Sequence, residues 1–153
     1  METKILIVDS NTITRRSLTH QLIHSGCEFV EAENIAQVNQ MAKRYEIEVA
    51  LIALGSLRSE ALLALQMIRN AHPDSEVIFL TGPETLFLSI QGMRLGAFDD
   101  LMTPVEIEEL LLKIRLARDK VRKKKQRKKK RLIVHNRETL NKTSLKENKN
   151  GKI

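Results

Sequence analysis

The chain predicts a doubly wound α/β domain, with five parallel strands in the order 2-1-3-4-5, helices on both faces and a basic C-terminal extension. Three observations lead there. Short apolar runs alternate with helix-period stretches at roughly even spacing, which calls for right-handed crossovers and a parallel sheet. The third run, Val49 to Leu54, is apolar throughout, as a fully buried strand is. Charge divides the chain in two: residues 1–120 hold 12 Lys and Arg against 17 Asp and Glu, a net of −5, while residues 121–153 hold 14 against 2, a net of +12. The expected organisation is therefore a domain over 1–120 and a tail over 121–153, helical at first and then disordered.

Lys4 to Val8 forms the first strand, and Asp9, Asn11 and Thr12 supply turn and cap chemistry before an amphipathic helix from Thr12 to His24. The second strand, Glu28 to Ala32, leads into a helix over Asn34 to Arg44. Glu46 and Glu48 precede the third strand and Gly55-Ser56 close it, and a helix from Ser59 to Asn70 follows. The fourth strand, Glu76 to Thr81, stops at Gly82-Pro83 and is followed by a helix from Glu84 to Leu95. The fifth runs from Phe98 to Leu101. Thr103-Pro104-Val105-Glu106 then reads as the start of the last helix, with Thr at the N-cap, Pro in the first turn and Glu closing a capping box. Its apolar positions Ile107, Leu110, Leu111, Ile114, Ala117 and Val121 face the sheet and end near Val121.

An α/β sheet of this kind gathers ligands and chemistry outside the carboxyl ends of its strands. The residue ending the third strand is Ala53, which offers only a methyl group. One cysteine, Cys27, allows no internal disulfide, no charged-then-apolar leader precedes residue 4, and no apolar run approaches a membrane span; the expectation is a reducing cytoplasm. His20 and His24 recur at i, i+4 with no third ligand at a supporting position, and neither a metal site nor a phosphate-binding glycine loop is expected.

Lys4-Ile5-Leu6-Ile7-Val8-Asp9, Phe79-Leu80-Thr81-Gly82 and Gly96-Ala97-Phe98-Asp99 stand in the order and at the intervals of a bacterial response-regulator receiver domain. The resemblance, to a CheY-like and flavodoxin-like fold, runs from about Lys4 to Arg118. It implies a site in which acidic residues after strand one hold Mg²⁺ and an aspartate ending strand three accepts a phosphoryl group. A Thr or Ser after strand four and a Lys before a Pro after strand five complete it. Here the matching positions are Asp9-Ser10, Ala53, Thr81 and Thr103 before Pro104. One carboxylate is a hydroxyl, the nucleophile is a methyl, and the Lys is a Thr. Only Thr81 survives among the phosphoryl contacts, and Asp9, Thr81 and Thr103 each have a structural reading as turn, loop and cap residues.

The resemblance further implies an output and dimer face on the fourth helix, fifth strand and fifth helix, here including Met93, Arg94, Phe98 and Asp100. The expectation is a degenerate receiver, without cofactor or enzymatic activity, that acts as a phosphorylation-independent adaptor for a protein partner in a two-component or phosphorelay-type system, with room for a homodimer. The alternative is a nucleic-acid-associated protein using the receiver fold as scaffold or dimeriser. Arg122, Lys123, Lys124, Lys125, Arg127, Lys128, Lys129, Lys130 and Arg131 form its polyanion-binding run, and nucleic acid, an anionic membrane surface and an acidic protein face compete as its partner. The Asn, Lys, Thr and Glu of the stretch from Asn136 predict fraying.

Overall fold

The computed structural model describes residues 1–150, with side-chain surroundings through residue 148. Strands β1 (Thr3–Val8), β2 (Phe29–Ala32), β3 (Glu46–Ala53), β4 (Glu76–Thr81) and β5 (Asp99–Met102) form one sheet in the order β2-β1-β3-β4-β5. All four pairings are parallel. The helices are α1 (Thr12–Leu22), α2 (Ile35–Arg44), the single turn α3 (Leu54–Leu57), α4 (Glu60–Ala71), α5 (Leu86–Arg94) and α6 (Ile107–Asn150), with a 3₁₀ turn at Pro83–Thr85. The chain divides into two units, Met1–Val121 and the segment beginning at Arg122.

Alternate residues of each apolar strand serve opposite faces, so the sheet has two cores. Leu6, Val8, Ile52, Val77 and Phe79 pack with Val38 of α2 and with Ala61, Ala64, Leu65 and Ile68 of α4. Ile5, Ile7, Val49, Leu51, Ile78 and Leu80 pack with Leu18 and Leu22 of α1 and with Leu110, Ile114 and Ala117 of α6. Cys27 is half-buried against this second core.

Four of the departures from the sequence reading have a clear physical cause. β3 begins at Glu46 rather than Val49, because Thr3 and Lys4 pair with Glu46 and Ile47; the inward Glu48 is countered by Arg118 of α6 at 3.4 Å. The fourth helix opens as a 3₁₀ turn, where Gly82 donates its backbone N–H to Thr85 Oγ1 at 2.9 Å. The last helix starts at Ile107 and Thr103 is not its cap: Thr103 donates both its N–H (2.8 Å) and its hydroxyl (3.2 Å) to the Thr81 carbonyl. Those bonds extend the β4–β5 ladder, and a residue before proline is steered away from helical backbone. Finally, α6 continues to Asn150, past the fraying expected from Asn136. No Gly or Pro lies between Pro104 and Gly151, and Thr139 and Thr143 donate their hydroxyls back to the carbonyls of His135 and Thr139 at 3.0 Å each.

Candidate functional site

The register brings the strand ends level. Val8 lies opposite both Ala32 and Ile52, Ala53 opposite Leu80, and Thr81 opposite Met102. A cavity of about 450 Å³ opens at this edge, lined by Asp9, Ala53, Ser56, Thr81, Glu84 and Thr103 among others. Four of the five positions singled out from the sequence thus meet around one cavity. The fifth, Ser10, is exposed and does not line it.

Asp9 is the centre of the arrangement. Its side chain is buried, and both carboxylate oxygens are engaged by the chain: Oδ1 accepts from the Asn11 N–H (2.9 Å) and the Ser56 hydroxyl (2.7 Å), Oδ2 from the Thr14 hydroxyl (2.5 Å). All three donors are neutral. Ser56 Oγ also accepts the Ser10 N–H at 3.1 Å, so one hydroxyl ties the loop after β1 to the turn after β3. Asp9 does not cap α1, as its position suggested it could. That task falls to Asn11, whose side chain accepts from the N–H groups of Ile13 and Thr14. The adjacent Arg15 is also buried, donating to the Asp9 carbonyl at 2.8 Å and pairing with Glu31 and Glu33 at 3.0 and 2.7 Å.

On the opposite wall, Thr81 is buried with its hydroxyl 2.9 Å from that of Thr85. Thr103 is held to the Thr81 carbonyl. Mg²⁺ requires near-octahedral oxygen coordination and favours carboxylates. Here the Asp9 carboxylate is already met by three donors, Ser10 lies off the cavity and Ala53 brings no oxygen; these residues do not fit the ion. Thr103 places a hydroxyl where a cation would be wanted to pair with phosphoryl oxygens, while Thr81 keeps the hydroxyl that the receiver pattern has there. Among the described residues no three His, Cys, Asp or Glu side chains form a metal-ligating group.

A second surface lies on α5, and its composition is inverted. Thr85, Ser89 and Gly92 face the sheet, while Leu86, Phe87 and Ile90 are 47, 72 and 54% exposed. The cause is Phe79 of β4, a fully buried ring in the space beneath the helix: a Cβ on Gly92 would lie 1.9 Å from its Cε2. No side chain fits at position 92 above it, and of the large apolar residues of α5 Leu88 packs half-buried against the core while Leu86, Phe87 and Ile90 point out. Met93 and Arg94 are exposed on the same helix. Phe98 is instead half-buried in the second core with the Lys120 ammonium 5.5 Å from its ring centroid. Asp100 accepts from the Ser89 hydroxyl at 2.5 Å, joining β5 to α5. Next to it, Asp99 lies 2.6 Å from Lys113 of α6 and, by accepting its hydrogen bond, raises the pKa of that ammonium.

Sequence reasoning missed Ser56 and Thr14 in the cavity, Thr85 bonded to Thr81, and Leu86, Phe87 and Ile90 on α5. Gly55-Ser56 was legible only as the end of a strand. The spacing of Ser89 and Gly92, three apart in an otherwise apolar helix, was the available sign of a small inward stripe.

The model of the response regulator receiver domain matches residues 5–115. The acid tolerance regulatory protein ActR of Rhizobium meliloti (strain 1021) is 29% identical over 107 residues, covering 70% of this chain and 55% of that protein. The aerobic respiration control protein ArcA of Escherichia coli (strain K12) is 27% identical over 111 residues, 72% of this chain and 46% of ArcA. The chain therefore spans about half the length of these curated relatives. Among solved structures, a CheY-like response regulator receiver domain protein from Methanospirillum hungatei JF-1 superposes with a TM-score of 0.71 at 26% identity, covering 81% of this chain and 99% of that one.

Proposed function

Since the chain belongs to the response regulator receiver family, a family of signalling modules in two-component systems, we propose that it is a receiver that signals without being phosphorylated. The observation that carries this reading is the Asp9 network. Three neutral donors from the chain satisfy the carboxylate that metal binding would need, beside a strand end that carries Ala53 in place of a nucleophile. Phosphoryl transfer depends on positioning and charge neutralisation around the transferred group. This edge has hydroxyls and a methyl group at the positions that would supply them.

A module without a phosphoryl switch acts through the surface it presents constantly, in one dominant state. Leu86, Phe87 and Ile90, with Met93 and Arg94, form that surface on α5, an apolar patch with a basic rim suited to a protein partner. The role is that of a cytoplasmic adaptor rather than an enzyme. Among the described residues, no helix is long and apolar enough to cross a membrane.

The test is to incubate the full chain and Ala53→Asp with Mg²⁺ and a small acyl phosphate, then measure intact mass. Neither protein gains a phosphoryl group, because the substitution restores the carboxylate but leaves Ser10, Thr103 and the Ser56–Asp9 bond in place. Stoichiometric labelling of either one removes the reading.

A further inference from the structure

The helical course of the segment after Val121 changes what its charge means. From Arg122 to Arg131, nine of ten residues are Lys or Arg, and all lie on α6. At about 100° per residue, an α-helix spreads these nine cations over every side of its axis, with no angular gap wider than about 80°. Along the axis they occupy roughly 15 Å. We propose that this segment is a sequence-independent binding element for duplex DNA, seated as a helix in the major groove.

The angular distribution selects the partner. A flat acidic protein face meets one side of a helix and leaves the cations of the far side in water. An anionic membrane likewise attracts such a run from one side, and seating the helix within it requires an apolar face opposite the basic one. Leu132, Ile133 and Val134 are consecutive and so point about 100° apart, and they follow the basic run rather than lying beneath it. A groove meets its occupant from beneath and on both flanks. The major groove of B-form DNA is about 12 Å wide with phosphates on both walls, and an α-helix with side chains measures about 10–12 Å across. Cations on the two flanks can then reach phosphates on both walls, while those on the outward side stay in solvent. The deep, narrow major groove of duplex RNA does not admit such a helix.

The run has ten residues with no aromatic and no Asn, and Gln126 is its one uncharged side chain. Stacking and adenine reading by amides are therefore little served, and although Arg and Lys can reach guanine edges, cations spread around the axis put most contacts on the backbone, where counterion release makes affinity steeply dependent on salt.

Fluorescence anisotropy of the full chain with two unrelated duplexes of about 20 base pairs, at about 50 and 200 mM salt, tests this. Both duplexes bind with affinities within about threefold of each other, and each loses on the order of 10³-fold between the two salts, as engagement of about six phosphates requires. Duplex RNA of the same length, vesicles with anionic lipid, and a DNA triplex whose third strand fills the major groove each bind at least tenfold more weakly. Changing Lys123, Arg127, Lys129, Lys130 and Arg131 together to Gln at least halves the salt slope, whereas Lys123, Lys129 and Lys130 together changed to Arg leave it unaltered. Circular dichroism establishes that helix content is kept in both variants. No binding at 50 mM overturns the proposal, as does binding to the triplex, the RNA or the vesicles as tight as to the duplex. A Gln variant that keeps the helix and the full slope does so too.

Discussion

Helices α4 and α5 pack on the same face of the sheet and use their apolar residues in opposite ways. α4 turns Ala61, Ala64, Leu65 and Ile68 inward, all but fully buried, and its stability is invested in the core. α5 turns Ser89 and Gly92 inward and holds Leu86, Phe87 and Ile90 in water. Burial of a large aliphatic or aromatic side chain is worth ~1.5–3 kcal/mol, so α5 forgoes several such contributions within the unit. The difference teaches that a helix can be placed with little large apolar surface turned inward: the fit of Gly92 on Phe79, the half-buried Leu88 and the Ser89–Asp100 hydrogen bond hold α5. Phe79 sets how closely α5 approaches, and the outward apolar residues remain for contacts outside the fold.

Substitutions at corresponding places in the two helices sharpen the contrast. The largest effect belongs to α4: Ile68→Ala leaves a cavity beneath the helix and destabilises the protein by ~2–5 kcal/mol, read by chemical denaturation. A loss below 1 kcal/mol would show that α4 is no more invested in the core than α5. Next comes Gly92→Ala, whose added methyl group collides with the Phe79 ring and costs ~1–3 kcal/mol through displacement of the helix or the ring. Combining it with Phe79→Leu recovers part of that loss, since the two positions are in contact and their effects do not add. The smallest effect on stability belongs to Phe87→Ser with Ile90→Ser, within ~0.5 kcal/mol for each position. On the proposed reading the same double variant abolishes cross-linking to a protein partner, and destabilisation comparable to that of Ile68→Ala would return these residues to the core.

The sheet was legible because its central strands β1, β3 and β4 are buried on both sides and therefore written as largely apolar runs. Val49 to Leu54 and Glu76 to Thr81 needed no tertiary information. The helix faces were less so. In α4, residues of opposite character alternate around the axis, whereas α5 is apolar on nearly every side and periodicity alone does not say which side faces in. The Asp9 network was hidden for another reason: Ser56 lies 47 residues from Asp9, and a hydrogen bond across that separation has no local signature. Thr103 shows the converse failure. Its surroundings satisfy every rule for a helix cap, yet the open carbonyl of Thr81, 22 residues earlier, claimed both its donors. Local grammar held where one segment decided the outcome and failed where a neighbouring strand competed for the same group.

The close approach of Gly92 to Phe79 has a consequence for how this surface can change over evolutionary time. Position 92 admits almost no drift while Phe79 is present, yet Leu86, Phe87 and Ile90, largely exposed, are freer of the demands of folding and, on the proposed reading, answer to a protein partner. Related chains should therefore keep the glycine fixed while those three positions vary together, tracking the partner of each lineage. The helix is then a constant mount for an interchangeable surface, and exchanging three side chains would redirect the module without redesigning its fold.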